Sequence, residues 1–195
     1  MKPAKNLLVL FVTWIVALPA FAVDTYKIDP AHTSITFSVR HLGINNVKGR
    51  FKDFAGTVVL DGKAIKEANG TIQAASIDTE VQQRDDHLRS PDFFDAVKYP
   101  TITFKAKRVE QSGDQTILLA DFTMRGVTKE IRLPVKVTEP VKDQTGAIRI
   151  GLGAKAKLNR KDYGIAFSQA LETGVAMVGE EVELEIDAEA IKQAT

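Results

Sequence analysis

Three histidines and a cluster of acids mark where this chain could do chemistry. Asp85 and Asp86 precede His87, Ser90 stands three residues after it, and Asp92 and Asp95 lie beyond. A serine close to a histidine and an acid is the raw material of a nucleophilic triad. The neighbouring sequence argues against one. No G-x-S-x-G turn exposes Ser90 and no glycine-rich segment offers an oxyanion hole, whereas Ser-Pro-Asp is how a helix start reads. Asp92 and Asp95 as a general acid and base meet the same objection, because acids near a helix start commonly serve its dipole. Metal ligation is no better supported. His32 and His41 are nine residues apart, an odd spacing that sends them to opposite faces of an unbroken strand, and His87 has no ligand spacing of the H-x-x-E-H kind. The chain has no cysteine, which removes disulfides, zinc thiolates and thiol catalysis. No catalytic residue, metal or cofactor is expected. Arg84, His87 and Arg89 are left as a cationic group that could meet a ligand's anionic head, since a guanidinium fork suits phosphate oxygens. The competing reading is that they pair with the nearby acids and fasten this stretch to the fold.

That stretch, Thr79 to Pro100, interrupts a sequence that otherwise alternates like antiparallel strands. Thr79 to Gln82, T-E-V-Q, has the form of a capping box that starts a short helix. Ser90-Pro91-Asp92 reads as a second helix start. Tyr99-Pro100 closes the insertion, because the residue before proline leaves the α region.

On either side the period is two, the primary signal for strands. Ile35, Phe37 and Val39 share one face, as do Ile102, Phe104 and Ala106, then Leu118, Ala120 and Phe122, then Leu133 and Val135, then Leu152 and Ala154. Charged or polar residues occupy the alternate positions. From Val47 to Leu60 the phase slips, with Phe51 odd and Phe54, Val58 and Leu60 even, which predicts a β-bulge near Lys52-Asp53. Asp61-Gly62 and Asn69-Gly70 read as turns. About eight one-sided strands without a long covering helix must close into a barrel or pack as two sheets. Small inward residues such as Ala106, Ala120 and Ala154 leave room among the phenylalanines, which favours a barrel with an apolar cavity over a filled sandwich.

The run R-D-D-H-L-R-S-P-D-F-F-D-A-V-K-Y-P-T-I-T-F, Arg84 to Phe104, resembles the YceI-like, or polyisoprenoid-binding, family of exported bacterial proteins. So do V-K-G-R-F-K-D-F-A-G-T after Asn46, G-V-T-K after Arg125, and L-N-R-K-D-Y-G-I from Leu158. The resemblance implies an all-β fold, an eight-stranded antiparallel lipocalin-like barrel with a short helical insertion between strands. It further implies an apolar channel that carries an isoprenoid or other long amphipathic lipid without chemistry. Phe37, Val39, Phe54, Val58, Ile102, Phe104, Ala106, Leu118, Ala120, Phe122, Leu133, Val135, Leu152 and Ala154 are the expected channel lining. Arg84, His87 and Arg89 are the candidate head-group contacts. The irregular segment 159–179 is a candidate lid over the mouth. Two other readings stay open: an enzyme acting on a lipid-like substrate through His87 and an acid, and a solid barrel that engages a protein.

Residues 1–22 read as a cleaved signal peptide. Lys2 and Lys5 precede an apolar run from Leu7 to Leu18, too short to span a bilayer, and Ala20-Phe21-Ala22 is a small-residue cleavage site. Its removal takes two lysines from 26 basic and 25 acidic residues, leaving a formal net charge of −1. That near-neutral balance gives no reason to expect nucleic acid as a partner. A periplasmic barrel domain over residues 23–195 is expected, with no stable membrane insertion and with a homodimer left open.

Overall fold

The computed structural model describes residues 23–113, 115–169 and 174–194. The signal-peptide reading lies outside the described residues. The alternating segments form twelve strands: β1 (Asp24–Ile28), β2 (Ser34–His41), β3 (Asn45–Phe51), β4 (Phe54–Asp61), β5 (Ala64–Gln73), β6 (Ile77–Asp78), β7 (Thr101–Ser112), β8 (Gln115–Met124), β9 (Val127–Val137), β10 (Val141–Lys142), β11 (Ile148–Asn159) and β12 (Val178–Lys192). Among the described residues one α-helix, α1 (Gln82–Arg89), lies between β6 and β7.

Several of these strands run end to end. β1 and β2 lie along one edge of β12. β4 and β3 lie opposite them, and β5 and β6 lie opposite β4 and β3 in turn. Joined in this way, the segments make eight strands in an antiparallel meander. The long β11–β12 ladder, from Arg149 opposite Ile191 to Asn159 opposite Glu181, completes the ring. A closed barrel buries one face of every strand and leaves no long open edge.

The paired strands break together. β1 gives way to β2 through a 3-10 turn at Pro30–His32, β3 to β4 at Lys52-Asp53, and β5 to β6 through a 3-10 turn at Ala74–Ser76. Register places these breaks at one level: Gln73 N–H donates to the Asp53 carbonyl and Lys52 N–H to the Ser76 carbonyl. The wall is creased there, and the phase slip read at Lys52-Asp53 is the middle of that crease. Both Phe51 and Phe54 face inward on either side of it.

Two buried clusters line the interior. The lower one, at the end where β1 begins and β12 ends, gathers Tyr26, Leu60, Ile150 and Ala190. The upper one, beneath the insertion, gathers Phe51, Ile77, Phe93, Tyr163 and Ile165. Outward positions carry cross-strand ion pairs such as Lys155–Glu185 at 2.6 Å and Lys157–Glu181 at 2.7 Å. A charged exterior around an apolar interior is the reverse of a membrane-spanning barrel. Among the described residues no helix is long and apolar enough to cross a membrane.

Three sequence expectations are corrected. Asn69-Gly70 is not a turn; it lies inside β5, where Gly70 stands opposite Gly56. A Cβ on Gly56 would come within 2.9 Å of the Asn69 carbonyl, so the glycines permit a close backbone approach. Thr79 does not cap α1: the cap position is Val81, and the Thr79 hydroxyl donates instead to the buried Asp85 carboxylate at 2.5 Å. Ser90 starts no second helix. It ends α1, and its carbonyl accepts the N–H groups of Phe93 and Asp95 in the turn that follows.

Candidate ligand channel and its rim

Inward-facing side chains leave space unfilled in two successive chambers. The inner chamber is about 140 Å³, bounded among others by Phe54, Val58, Phe104, Leu133 and Ala154. The middle chamber, of about 100 Å³, lies under α1 between Phe37, Phe51, Leu88, Phe93 and Leu158. Ile72, Ile102, Phe122 and Leu184 border both and form the neck between them. Beyond the middle chamber a groove of about 500 Å³ reaches the surface between the β2–β3 hairpin and α1, lined by Val39, Val47, Arg84, His87, Phe167 and Met177. An unfilled apolar void costs about 24 cal/mol per Å³. The inner chamber alone therefore costs the fold about 3 kcal/mol, which an apolar guest would offset.

Twelve of the fourteen expected lining residues border these spaces: Phe54, Val58, Ile102, Phe104, Leu118, Phe122, Leu133, Val135, Leu152 and Ala154 around the inner chamber, and Phe37 and Val39 around the middle one. Ala106 and Ala120 do not. They pair with each other in the wall beside a bulge in β7, and their side chains are too short to reach the space. Sequence reasoning missed Phe93, Phe94 and Leu88, which enter the middle chamber from the insertion. The signal for the two phenylalanines was D-F-F-D, adjacent aromatics in a stretch that does not alternate.

The three cationic candidates separate. His87 and Arg84 both reach the outer groove. His87 Nε2 lies 2.8 Å from an Asp92 carboxylate oxygen, and its ring stands edge-on to Phe93 and Phe167 with centroids 5.0 Å away. Arg84 donates to the Thr79 hydroxyl at 2.7 Å and the Thr79 carbonyl at 2.8 Å. Arg89 turns away from the groove and donates to the carbonyls of Ala75 and Ile77, each at 2.8 Å, and to Asp86 at 3.0 Å. Its role is to fasten α1 to the barrel, the competing reading of this cluster.

Two further arginines fasten the same end. Arg160, 4% exposed, donates to the carbonyls of Ile165 at 2.6 Å, Gly179 at 2.8 Å and Val178 at 3.0 Å. It thereby ties Ile165 to the start of β12. Burial pushes its pKa below the ordinary arginine value, yet a guanidinium stays charged across the working range. Arg125, in the two-residue β8–β9 turn, donates to the carbonyls of Gly164 and Pro91, the latter at 2.7 Å. Its neighbour Gly126 has φ +74° and lies against the Tyr99 ring, where a Cβ would come within 2.7 Å.

At the opposite end Asp29, His32 and Glu189 converge, and a metal would be conceivable there. Arg149 already supplies the positive charge: it donates to Asp29 at 2.7 Å, to Asp143 at 2.7 Å and to Glu189 at 3.3 Å. Arg149 and His32 hold the Asp29 carboxyl down to about 2. The opposite-face argument for His32 and His41 assumed an unbroken strand; His32 lies instead in the turn that breaks it.

A family model for the YceI-like domain matches residues 26–190. The chain belongs to the YceI-like family. It is 38% identical over 178 residues to protein YceI of Escherichia coli O157:H7, covering 89% of this chain and 90% of that one. The YceI protein of Campylobacter jejuni superposes with a TM-score of 0.68 at 34% identity, over 80% of this chain and 90% of the other. A polyisoprenoid binding domain from Saccharophagus degradans, implicated in plant cell wall breakdown, superposes with a TM-score of 0.66 over 86% and 98% of the two chains. Its identity is 16%, so that likeness is one of fold. With the YceI-like family in view, Arg160 belongs to the L-N-R-K-D-Y-G-I run quoted for it, and its contacts give that run a physical purpose.

Proposed function

We propose that this protein is an exported, periplasmic carrier that holds the apolar tail of an isoprenoid or similar long lipid and performs no chemistry on it. One observation carries the reading: two chambers lined almost wholly by apolar side chains lie in line with a groove whose outer edge offers His87, Asp92 and Arg84. A tail entering between the β2–β3 hairpin and α1 would pass Phe93 and the Phe122 neck to reach the inner chamber. Each methylene removed from water stabilises the complex by about 0.8 kcal/mol, so polar contacts need only orient the head. Support also comes from the name of the Saccharophagus degradans domain and from the signal-peptide pattern of residues 1–22. The inner chamber is small for a long chain. The neck side chains must therefore turn aside, or part of the tail must lie in the groove.

Native mass spectrometry of protein from its own periplasm, followed by organic extraction, should find a stoichiometric lipid. Ala154→Phe, which fills the inner chamber, should reduce that occupancy by about tenfold without lowering thermal stability. Full occupancy in Ala154→Phe would remove the inner chamber from the binding path. Turnover of a bound prenyl diphosphate that is lost in His87→Ala would favour the enzyme reading instead.

A further inference from the structure

The two ends of the barrel expose different residues. At the end where β1 begins and β12 ends the connections are polar, with Lys63, Glu139 and Asp143 in ion pairs; the exposed large apolar side chains there are Val23, at the start of β1, and Val141. At the end that carries the groove, four connecting positions expose large apolar side chains: Ile44 (79%), Val81 (46%), Val97 (97%) and Val175 (40%). Ile44 and Val175 belong to neighbouring tips. A Cβ on Gly43 would lie 3.5 Å from a Val175 methyl, and Leu42 N–H donates to the carbonyl of Met177, itself a groove residue. Val81 begins α1, whose His87 and Leu88 line the other side of the same groove.

Aliphatic side chains held out into water beside the opening of an apolar groove serve a surface that can take them up. We infer that this end of the barrel docks on a lipid bilayer, with Ile44 and Val175 inserted among the acyl chains beside the groove. The inference rests on the tail-binding reading for its purpose. A lipid tail passing between bilayer and channel is never exposed to water if the groove opens against the bilayer. Shallow insertion of a few aliphatic side chains gives weak, reversible attachment, which suits a carrier that must leave again.

The test is flotation of the protein, as recovered from its host, with phosphatidylcholine vesicles. Wild type should co-float. Ile44→Asp/Val175→Asp should partition about tenfold less, while Val141→Asp at the opposite end should match wild type. Unchanged thermal unfolding shows that the double variant is folded, and unchanged titration with a soluble apolar fluorophore shows that its channel is intact. Equal flotation of the double variant, an equal loss in Val141→Asp, or no flotation of wild type would each overturn the inference. So would a wild-type dimer in sedimentation that Ile44→Asp dissociates, since the tips would then serve a second copy. Loss of fluorophore binding in wild type would instead sink the tail-binding reading.

Discussion

Arginines hold both ends of this barrel, but with opposite kinds of acceptor. At the end where β1 begins and β12 ends, Arg149 is shared among the carboxylates of Asp29, Asp143 and Glu189, with about a quarter of its side chain exposed. At the groove end, Arg160 and Arg125 reach only main-chain carbonyls, and Arg89 mainly so. Carboxylates titrate and their surface pairs are screened by salt. Carbonyl oxygens do neither. Irregular covering segments have many carbonyls without ladder partners, and one guanidinium with five N–H donors can satisfy several at once. The insensitive fastening is therefore found where the cover must stay in place whatever the surroundings.

The sharpest way to break this contrast is Arg160→Met. It leaves buried carbonyls unsatisfied and should destabilise the fold by about 3–5 kcal/mol in urea titrations, almost equally at low and high salt. A loss that shrinks strongly with salt would mean that a carboxylate, not the carbonyls, dominates. Arg125→Met should cost less, about 1–2 kcal/mol, because it holds two carbonyls and because its buried Nε has no partner to lose. If Arg125→Met cost more than Arg160→Met, burial would not be what sets the ranking. The smallest of the three losses is expected for Arg149→Met, and it should be visible at neutral pH and shrink towards zero in acid. Asp29 is held at about 2, below the ordinary carboxylate value, chiefly by Arg149, and Asp143 is held low chiefly by Thr145 and then Arg149. A lowered carboxyl contributes stability that is present above its unfolded pKa, about 4, and is lost as pH falls towards its folded value. Wild type should thus lose urea resistance between about pH 4 and pH 2, and Arg149→Met should lose less over that window. Parallel pH profiles for the two proteins would show that Arg149 is a bystander.

Strand number, closure and most of the lining were legible in the sequence because they follow from a period of two. Phe104, Leu118 and Leu133 could be placed inward from their parity alone. Legibility failed where hydrogen bonds override local propensity. Thr79 looked like a cap, but a buried carboxylate at Asp85 is the more demanding partner for its hydroxyl. Asn69-Gly70 looked like a turn, but Gly70 answers a close approach to Gly56 that only the paired strand creates. Arg160 and Arg125 could not be assigned, since carbonyl acceptors carry no residue identity and their positions exist only once the chain is folded. Phe93 and Phe94 were hidden because a turn, not a period, aims them.

The crease across β1–β2, β3–β4 and β5–β6 has one more consequence. Most of the wall is stiffened by continuous ladders, but along this line three neighbouring strands interrupt theirs at a single height. Bending the β2–β3 hairpin about that line leaves the β2–β3 ladder whole and strains mainly its seam with β12, Ser34 to Val39 opposite Asp187 to Val182, whereas β11 is held to β12 along its whole length. The upper wall is thus held on one side by a single seam, while the floor around Tyr26, Leu60 and Ile150 is buried among strands paired on both sides.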